Sequence, residues 1–354
     1  MNLNLSWKKS IILQGLAIII FLSFPCADAY AGKVATFGEV IKPDMLQVKN
    51  DRLYVLAGTS IFIYSTKDFH LIKKFGREGE GPGEFITRPY GPPMAIGFYS
   101  DHLVVNSRNK MSYFTLDGNY VKEEKSPPGS IFYRVEGGYL GIGAAAGADG
   151  KAYICFRLFN PNFKEPKMLY ETEVFVGEGD MQFLLPMNAV NYYPIYNDQL
   201  FIVDGKKGFL IDCFDYTGKK LYSIEKKDHE KIKVTDAYQK STWNWFNNHY
   251  LFKQALDLVK KNLKYKDYFP AIKSLAVDND RLYAITNKTN KGQWECIIMD
   301  LKGKELKRVF VPLQEAEPYT YYPLLYCIEK GKFYALIENE KEETWELYME
   351  SIYP

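Results

Sequence analysis

MLQVKNDRLYVLAGTSIFIYSTKDFHLIKKF, residues Met45 to Phe75, alternates short apolar runs with pairs of turn residues. Met45-Leu-Gln-Val leads to a turn at Asn50-Asp51, Leu53 to Leu56 to a turn at Gly58-Thr59, and Ile61 to Tyr64 to a turn at Lys67-Asp68. Leu71 to Phe75 follows as a fourth run. Alternation inside each run, with tight turns between runs, predicts four short antiparallel strands in one sheet. The chain then continues through Phe75 to Phe85, F-G-R-E-G-E-G-P-G-E-F. Four glycines supply backbone freedom there and Pro82 fixes one torsion, so this is a shaped loop joining two similar units.

The same phrase recurs. A second copy runs from Ala95 through the turns Ser100-Asp101 and Asp117-Gly118 to Glu123. A third, looser copy spans Phe132 to Tyr170, and its small-residue segment Gly141 to Gly150 predicts a weak or bulged strand. The fourth covers Tyr193 to Ile224, with turns at Asn197-Asp198 and Thr217-Gly218. A fifth extends from Ile272 to Val311, and a sixth from Leu324 to Ile352 lacks a fourth strand. The segment Val34 to Val40 precedes the first copy with no partner of its own, and can supply the missing strand. Four-stranded sheets repeated around an axis form a propeller, and completing one blade from both chain ends closes the ring and hides its edges. The expectation is an all-β, six-bladed β-propeller of four-stranded antiparallel blades over residues 32–354, closed by the N-terminal strand.

Composition agrees. Aromatic residues make up 16% of the chain, a bias toward pleated, half-buried strands. A formal net charge of +2 with no basic stripe argues against nucleic acid as a partner. The run Glu225 to Lys233 mixes both signs and reads as a solvated loop.

Lys8 and Lys9 precede an apolar run from Ile11 to Phe24, and small residues follow at Ala27, Ala29 and Ala31. This is the layout of a secretory signal peptide over residues 1–31, with cleavage after Ala29 or Ala31. The run is shorter than the roughly 20 residues of a spanning helix, so no transmembrane span is expected in the mature chain. Export to the periplasm or the extracellular space, in association with the cell envelope, follows as the expectation. Cys155, Cys213, Cys296 and Cys327 each lie inside an apolar strand pattern in a different copy, which reads as buried thiols rather than disulfides.

Between the fourth and fifth blades the period changes. Thr235-Asp236 offers an N-cap, and Ala237 to Leu263 reads as helix, breaking near Asn247-Asn248, within an insertion of about 235–264. Trp245, Phe252, Leu256, Val259 and Leu263 share a helical face. That face either packs on the chain's own ring or docks a partner through Trp245, Phe252, Leu256 and Val259.

At this point the residues resemble a known group. The loop G-R-E-G-E-G-P-G-E-F from Gly76 to Phe85 resembles the inter-blade loop of NHL-like repeats. Tyr265 to Asp278, following a helical insert, is similar to the start of the fifth blade in exported bacterial six-bladed propellers of the NHL-like and TolB-like type. The resemblance implies the architecture and leaves the activity open, since most members of that group have no assigned one.

Six-bladed propellers include metal-dependent lactonases and a zinc-dependent amidating lyase, so a central-channel metal is the alternative to binding. The four histidines, His70, His102, His229 and His249, are scattered through surface contexts, against a zinc cluster. No cofactor is expected. Calcium remains the candidate cation, with Glu39, Asn106, Asn191 and Asp204 as candidate oxygen donors. For ligand binding the inter-blade loops supply Arg77, Glu84, Arg88 and Tyr90, then Tyr192, Tyr193, Tyr268, Phe269 and Tyr321. Aromatic rings with a few charges suit a sugar or a peptide. The leading expectation is an exported, non-catalytic scaffold binding a protein, peptide or glycan. The alternatives are a metal-dependent hydrolase or lyase, and a structural subunit of an envelope complex.

Overall fold

The computed structural model describes residues 32–87, 94–149, 151–173, 194–249, 252–315 and 324–353. The first strand is β1 (Gly32–Phe37). Blade 1 comprises β2 (Met45–Lys49), β3 (Arg52–Ala57), β4 (Ser60–Ser65) and β5 (Leu71–Phe75). Blade 2 comprises β6 (Ala95–Tyr99), β7 (His102–Ser107), β8 (Lys110–Thr115) and β9 (Tyr120–Lys125). In blade 3 these are β10 (Ile131–Val135), β11 (Gly138–Ala146), β12 (Ala152–Phe159) and β13 (Lys167–Glu173). Blade 4 has β14 (Ile195–Tyr196), β15 (Gln199–Val203), β16 (Leu210–Asp215) and β17 (Lys220–Glu225). Two helices, α1 (Asp236–Asn248) and α2 (Leu256–Asn262), precede blade 5, which is β18 (Ser274–Asp278), β19 (Arg281–Asn290), β20 (Gln293–Asp300) and β21 (Glu305–Pro312). Blade 6 holds β22 (Tyr326–Glu329), β23 (Lys332–Asn339) and β24 (Thr344–Ser351).

The turns fix the meanders. Asn50 and Asp51, Asn197 and Asp198, and Asn279 and Asp280 all have positive φ, as does Ser100. Two consecutive positive φ values make the hairpin turn whose twist matches that of its strands, and Asn and Asp tolerate that geometry. Each blade is thus an antiparallel sheet in sequence order. Blade 6 is completed by β1, which pairs with β24 from Gly32↔Met349 to Phe37↔Trp345, giving the order β1-β24-β23-β22. The insertion lies between blades 4 and 5 when counting starts at Met45, and between the fifth and sixth when the sheet holding β1 is counted first.

Both faces of every sheet are buried, because period-two alternation sends successive side chains to opposite sides. In β3, Leu53 and Val55 join Leu46, Phe37 and Leu347 in the seam between blades 6 and 1, while Tyr54 and Leu56 join Ile96 and Phe114 in the next seam. Val104, Tyr113, Phe132 and Tyr139 fill the seam between blades 2 and 3. Leu140, Phe156, Leu200 and Phe214 fill the next, and Phe201, Ile211, Leu282 and Ile297 the one after. Tyr283, Cys296, Phe333 and Ala335 close the circuit between blades 5 and 6. Six seams joining six sheets in one cycle make a closed six-bladed propeller.

One strand differs from its sequence reading. The Gly-Ala segment of blade 3 is neither weak nor bulged against its neighbour: β11 runs nine residues and pairs with β12 in unbroken register from Tyr139↔Phe159 to Ala146↔Ala152. The small residues make room for rings. A Cβ on Gly141 would lie 2.6 Å from the Phe159 ring and 2.8 Å from the Phe132 ring. The four cysteines are free and buried.

Candidate functional site

In each blade the innermost strand and the third run one way, the second and the outermost the other, so the connections between blades all emerge on one face. The longest joins β17 to β18 and carries both helices. A short ladder ties its neck: the Val234 N–H donates to the Asp267 carbonyl at 2.9 Å and the Phe269 N–H to the Ile232 carbonyl at 2.9 Å. Thr235 caps α1, its hydroxyl accepting from the Tyr238 N–H at 3.2 Å.

Beyond the neck the insertion has its own small core. Phe246 and Val259 are fully buried in it, with Val234, Tyr238, Trp243, Trp245, Phe252, Leu263, Tyr265 and Phe269 packed around them. Of the four candidate docking residues, Val259 is inside this core. Trp245 stacks on His249 at 4.4 Å and lies 5.9 Å from Phe252. Leu256 is half-buried at the start of α2. A groove of about 260 Å3 between the helices is lined by Gln239, Trp243, Lys260, Leu263 and Tyr265.

The seam between blades 4 and 5 opens into a cleft of about 290 Å3. Its walls come from β19 to β21, from Phe209, and from the two ends of the long connection, namely Lys226, Asp228, His229, Glu230 and Ile232 on one side and Pro270 and Ala271 on the other. Glu295 lies at its base, 5% exposed. One Glu295 oxygen accepts from the Thr286 hydroxyl at 2.9 Å and the other from Arg308 at 3.2 Å. Arg308 also grips Glu305 through two nitrogens, at 2.5 and 2.9 Å, and Lys226 reaches Glu305 across the seam at 2.7 Å. Arg308, with Lys226 behind it, holds the Glu305 carboxyl down at about 2, and Glu305 in return pushes the guanidinium up. At the rim Lys288 pairs with Glu230 at 2.8 Å, which raises the ammonium.

His229 completes this wall. Its Nδ1 lies 3.0 Å from the Lys226 carbonyl oxygen, which can only accept, so Nδ1 carries a hydrogen, and whenever the ring is neutral Nε2 is the acceptor. On the far side of blade 5, Lys273 is 12% exposed along its side chain, with Nζ 3.7 Å from the centre of the Trp294 ring and 3.9 Å from Glu315. Burial pushes this amine down to about 8, against the pull of Glu315.

Of the sequence-derived ligand-binding candidates, the described ones fall in two places, Arg77 and Glu84 in the loop after blade 1 and Tyr268 and Phe269 at the neck of the insertion. Arg77 and Glu84 bond to each other at 2.6 Å, and the Gly81 N–H donates to Glu84 at 2.9 Å, so the pair pins its own loop. The Gly81 amide and Arg77 lower the Glu84 carboxyl. The ring of Phe85, fully buried, plugs the loop into the seam between blades 1 and 2. Tyr268 is 40% exposed beside the insertion's neck, and Phe269 packs edge-on against Tyr238 at 4.9 Å. Arg88, Tyr90, Tyr192, Tyr193 and Tyr321 lie outside the described residues, as do Asn191 and the segment 1–31.

Three of the candidate cation donors, Glu39, Asn106 and Asp204, are among the described residues. Glu39 accepts from the Tyr64 hydroxyl at 2.6 Å, and Asp204 from the Tyr170 hydroxyl at 2.8 Å and the Lys206 N–H at 3.0 Å. Asn106 is buried in blade 2. Among the described residues no group of three or more His, Cys, Asp or Glu side chains is arranged to hold a metal ion.

Thr286, Glu295 and Arg308 were not legible as site residues, because each sits in a strand where alternation hides a polar side chain at a seam. The sole sequence sign is the acidic Glu295 inside the otherwise apolar run Trp294 to Met299. The mixed-sign run Glu225 to Lys233, read as a solvated loop, supplies one wall of the cleft.

No family model and no curated protein sequence matches the chain. Among solved structures it is similar to BamB from Moraxella catarrhalis, at 10% identity over 86% of this chain and 71% of that one, with a TM-score of 0.31. It is also similar to a luciferin-regenerating enzyme, at 10% identity over 90% and 95% of the two chains and a TM-score of 0.44. The WD40 domain of Neurospora crassa Pan2 is similar at 7% identity over 88% and 90%, with a TM-score of 0.40. At these identities and scores the likenesses carry neither function nor ligand, and the blade count rests on the six sheets and their seams.

Proposed function

We propose that this chain is an exported bacterial propeller of the NHL-like and TolB-like type, and that it acts as a non-catalytic scaffold binding a protein, peptide or glycan on the face where its inter-blade connections emerge. Propellers commonly serve this way, with specificity held in loops rather than in the sheets. The observation that carries the reading is the cleft between blades 4 and 5. It combines carboxylates, cations, a hydroxyl, an amide and an imidazole in about 290 Å3 beside a folded insertion. Its charged side chains are largely committed to one another: Glu295 and Glu305 to Arg308, Lys226 to Glu305, Lys288 to Glu230. Such an arrangement suits recognition of a polar partner by shape and hydrogen bonding.

The test is affinity capture from an envelope extract of the native host, using the tagged mature chain and a variant in which residues 235–264 are replaced by a short Gly-Ser link. The neck ladder between Val234 and Asp267 already holds those ends together. A partner retained by the natural chain and lost from the variant supports the proposal. No specific retention by either contradicts it, whereas identical retention by both assigns the contact to the cleft, whose lining the deletion leaves in place.

A further inference from the structure

The cleft between blades 4 and 5 has an uneven inventory of hydrogen-bonding groups. Its donors have partners: Arg308 on Glu295 and Glu305, Lys226 on Glu305, Lys288 on Glu230, and the Thr286 hydroxyl on Glu295. The Asn287 side-chain nitrogen donates to the Pro270 carbonyl at 2.8 Å. Because a carbonyl oxygen can only accept, that bond fixes the amide's orientation and leaves Oδ1 as an unused acceptor. The imidazole of His229 is oriented by the same logic through the Lys226 carbonyl, which in the neutral ring leaves Nε2 as a second. The Asp228 carboxylate, exposed at the rim, has no partner among the described residues and is a third. Four carboxylates (Asp228, Glu230, Glu295, Glu305) against three cations (Lys226, Lys288, Arg308) leave the lining at −1 with His229 neutral.

We infer that this cleft receives an organic cation bearing N–H donors, an alkylguanidinium or alkylammonium group, carried either by a basic side chain of a bound peptide or by a free amine. Two acceptors held in place by their own hydrogen bonds and the unpaired Asp228 carboxylate complement such a group and leave an anion nothing to pair with. The volume lies at the lower end of small-ligand sites, about 300 Å3, so it admits one side chain or one small amine rather than a length of polymer. Phe209, 2% exposed, closes the wall beside His229, their ring centres 6.3 Å apart. The inference rests on the reading of this face as a binding surface and deepens it by naming the chemistry of the group received.

The test titrates the full mature chain with three probes at pH 8 and low salt: N-acetyl-arginine methylamide, butylguanidine and the neutral N-acetyl-norleucine methylamide. Calorimetry gives affinity, and nitrogen-15 NMR of the imidazole gives location. Saturable binding of the first two, with a shift at Nε2 of His229 and none for the neutral probe, is the expected result. The better of the two cationic probes distinguishes a peptide source from a free amine. D228N and N287A, confirmed as folded by unchanged thermal melts, should each weaken binding by about three- to tenfold. Equal binding of neutral and cationic probes, or unweakened binding by both variants, overturns the inference. Partner capture that survives D228N and N287A would spare the scaffold reading while overturning this one; probe binding without any captured partner would do the reverse.

Discussion

Replacing Phe85 by Ala separates what shapes the glycine-rich loop from what decorates it. The Phe85 ring is fully buried against Phe114, with ring centres 6.0 Å apart, and its backbone accepts from the Gly79 N–H at 3.1 Å and donates to the Arg77 carbonyl at 2.8 Å. Gly76, at φ +90°, lies under the same ring, and a Cβ there would come within 2.8 Å of it. Removing such a ring from a seam costs about 3–5 kcal/mol through lost transfer energy and the cavity left behind. For roughly 320 residues unfolding together, at about 2.1 cal/mol/K each, the unfolding entropy is about 0.7 kcal/mol/K, so Tm should fall by about 4–7 °C. The Arg77 side chain is 81% exposed, and its bond to Glu84 is screened by water. Arg77→Ala should therefore move Tm by no more than about 1 °C. Differential scanning calorimetry of both variants decides the matter. Equal losses, or a larger loss for Arg77→Ala, would show that the ion pair and not the ring organises the loop.

Three further outcomes follow from other parts of the ring. Deleting residues 32–37 removes the outer strand of blade 6 and bares the edge of β24, so the variant should elute as aggregates in size-exclusion chromatography where the natural chain elutes as a compact species. Cys155, Cys213, Cys296 and Cys327 should resist a thiol-specific reagent in the folded protein and all titrate in guanidinium, because each is buried and free, and burial raises every one of these thiols. Arg308 and Lys226 hold Glu305 at about 2 in the folded chain, below the roughly 4.3 of an ordinary glutamate, so the unfolded chain binds this proton more tightly. Its stabilising contribution is complete above about pH 4.5 and is lost as pH falls toward 2; Glu305→Gln should flatten the acid limb of denaturant stability measured across that window.

The fold was legible in the sequence because its determinants are local. Turn pairs such as Asn50-Asp51 and Asn279-Asp280 announce hairpins, and the orphan strand before Met45 paired with the strand missing after Ile352 announces ring closure. Blade 3 was misjudged for a physical reason: glycines weaken an isolated strand, yet between two rings they are what lets Phe132 and Phe159 close on the sheet. The helical stripe running from Trp245 to Leu263 included the fully buried Val259 but missed Phe246, since the chain bends between α1 and α2 and turns that ring inward as well. The cleft was not legible. It joins Lys226 and His229 at one end of the long connection to Glu295, Glu305 and Arg308 in blade 5, and only the closed ring brings them together.

The central claim is that partners meet the face from which the inter-blade connections emerge. A photo-crosslinking amino acid placed at Tyr268, 40% exposed on that face, and at Lys304, exposed on the opposite face in the turn between β20 and β21, tests this in the native host. The account predicts a discrete crosslinked adduct from position 268 and none from position 304. Adducts from 304 alone, or equally from both, would contradict it.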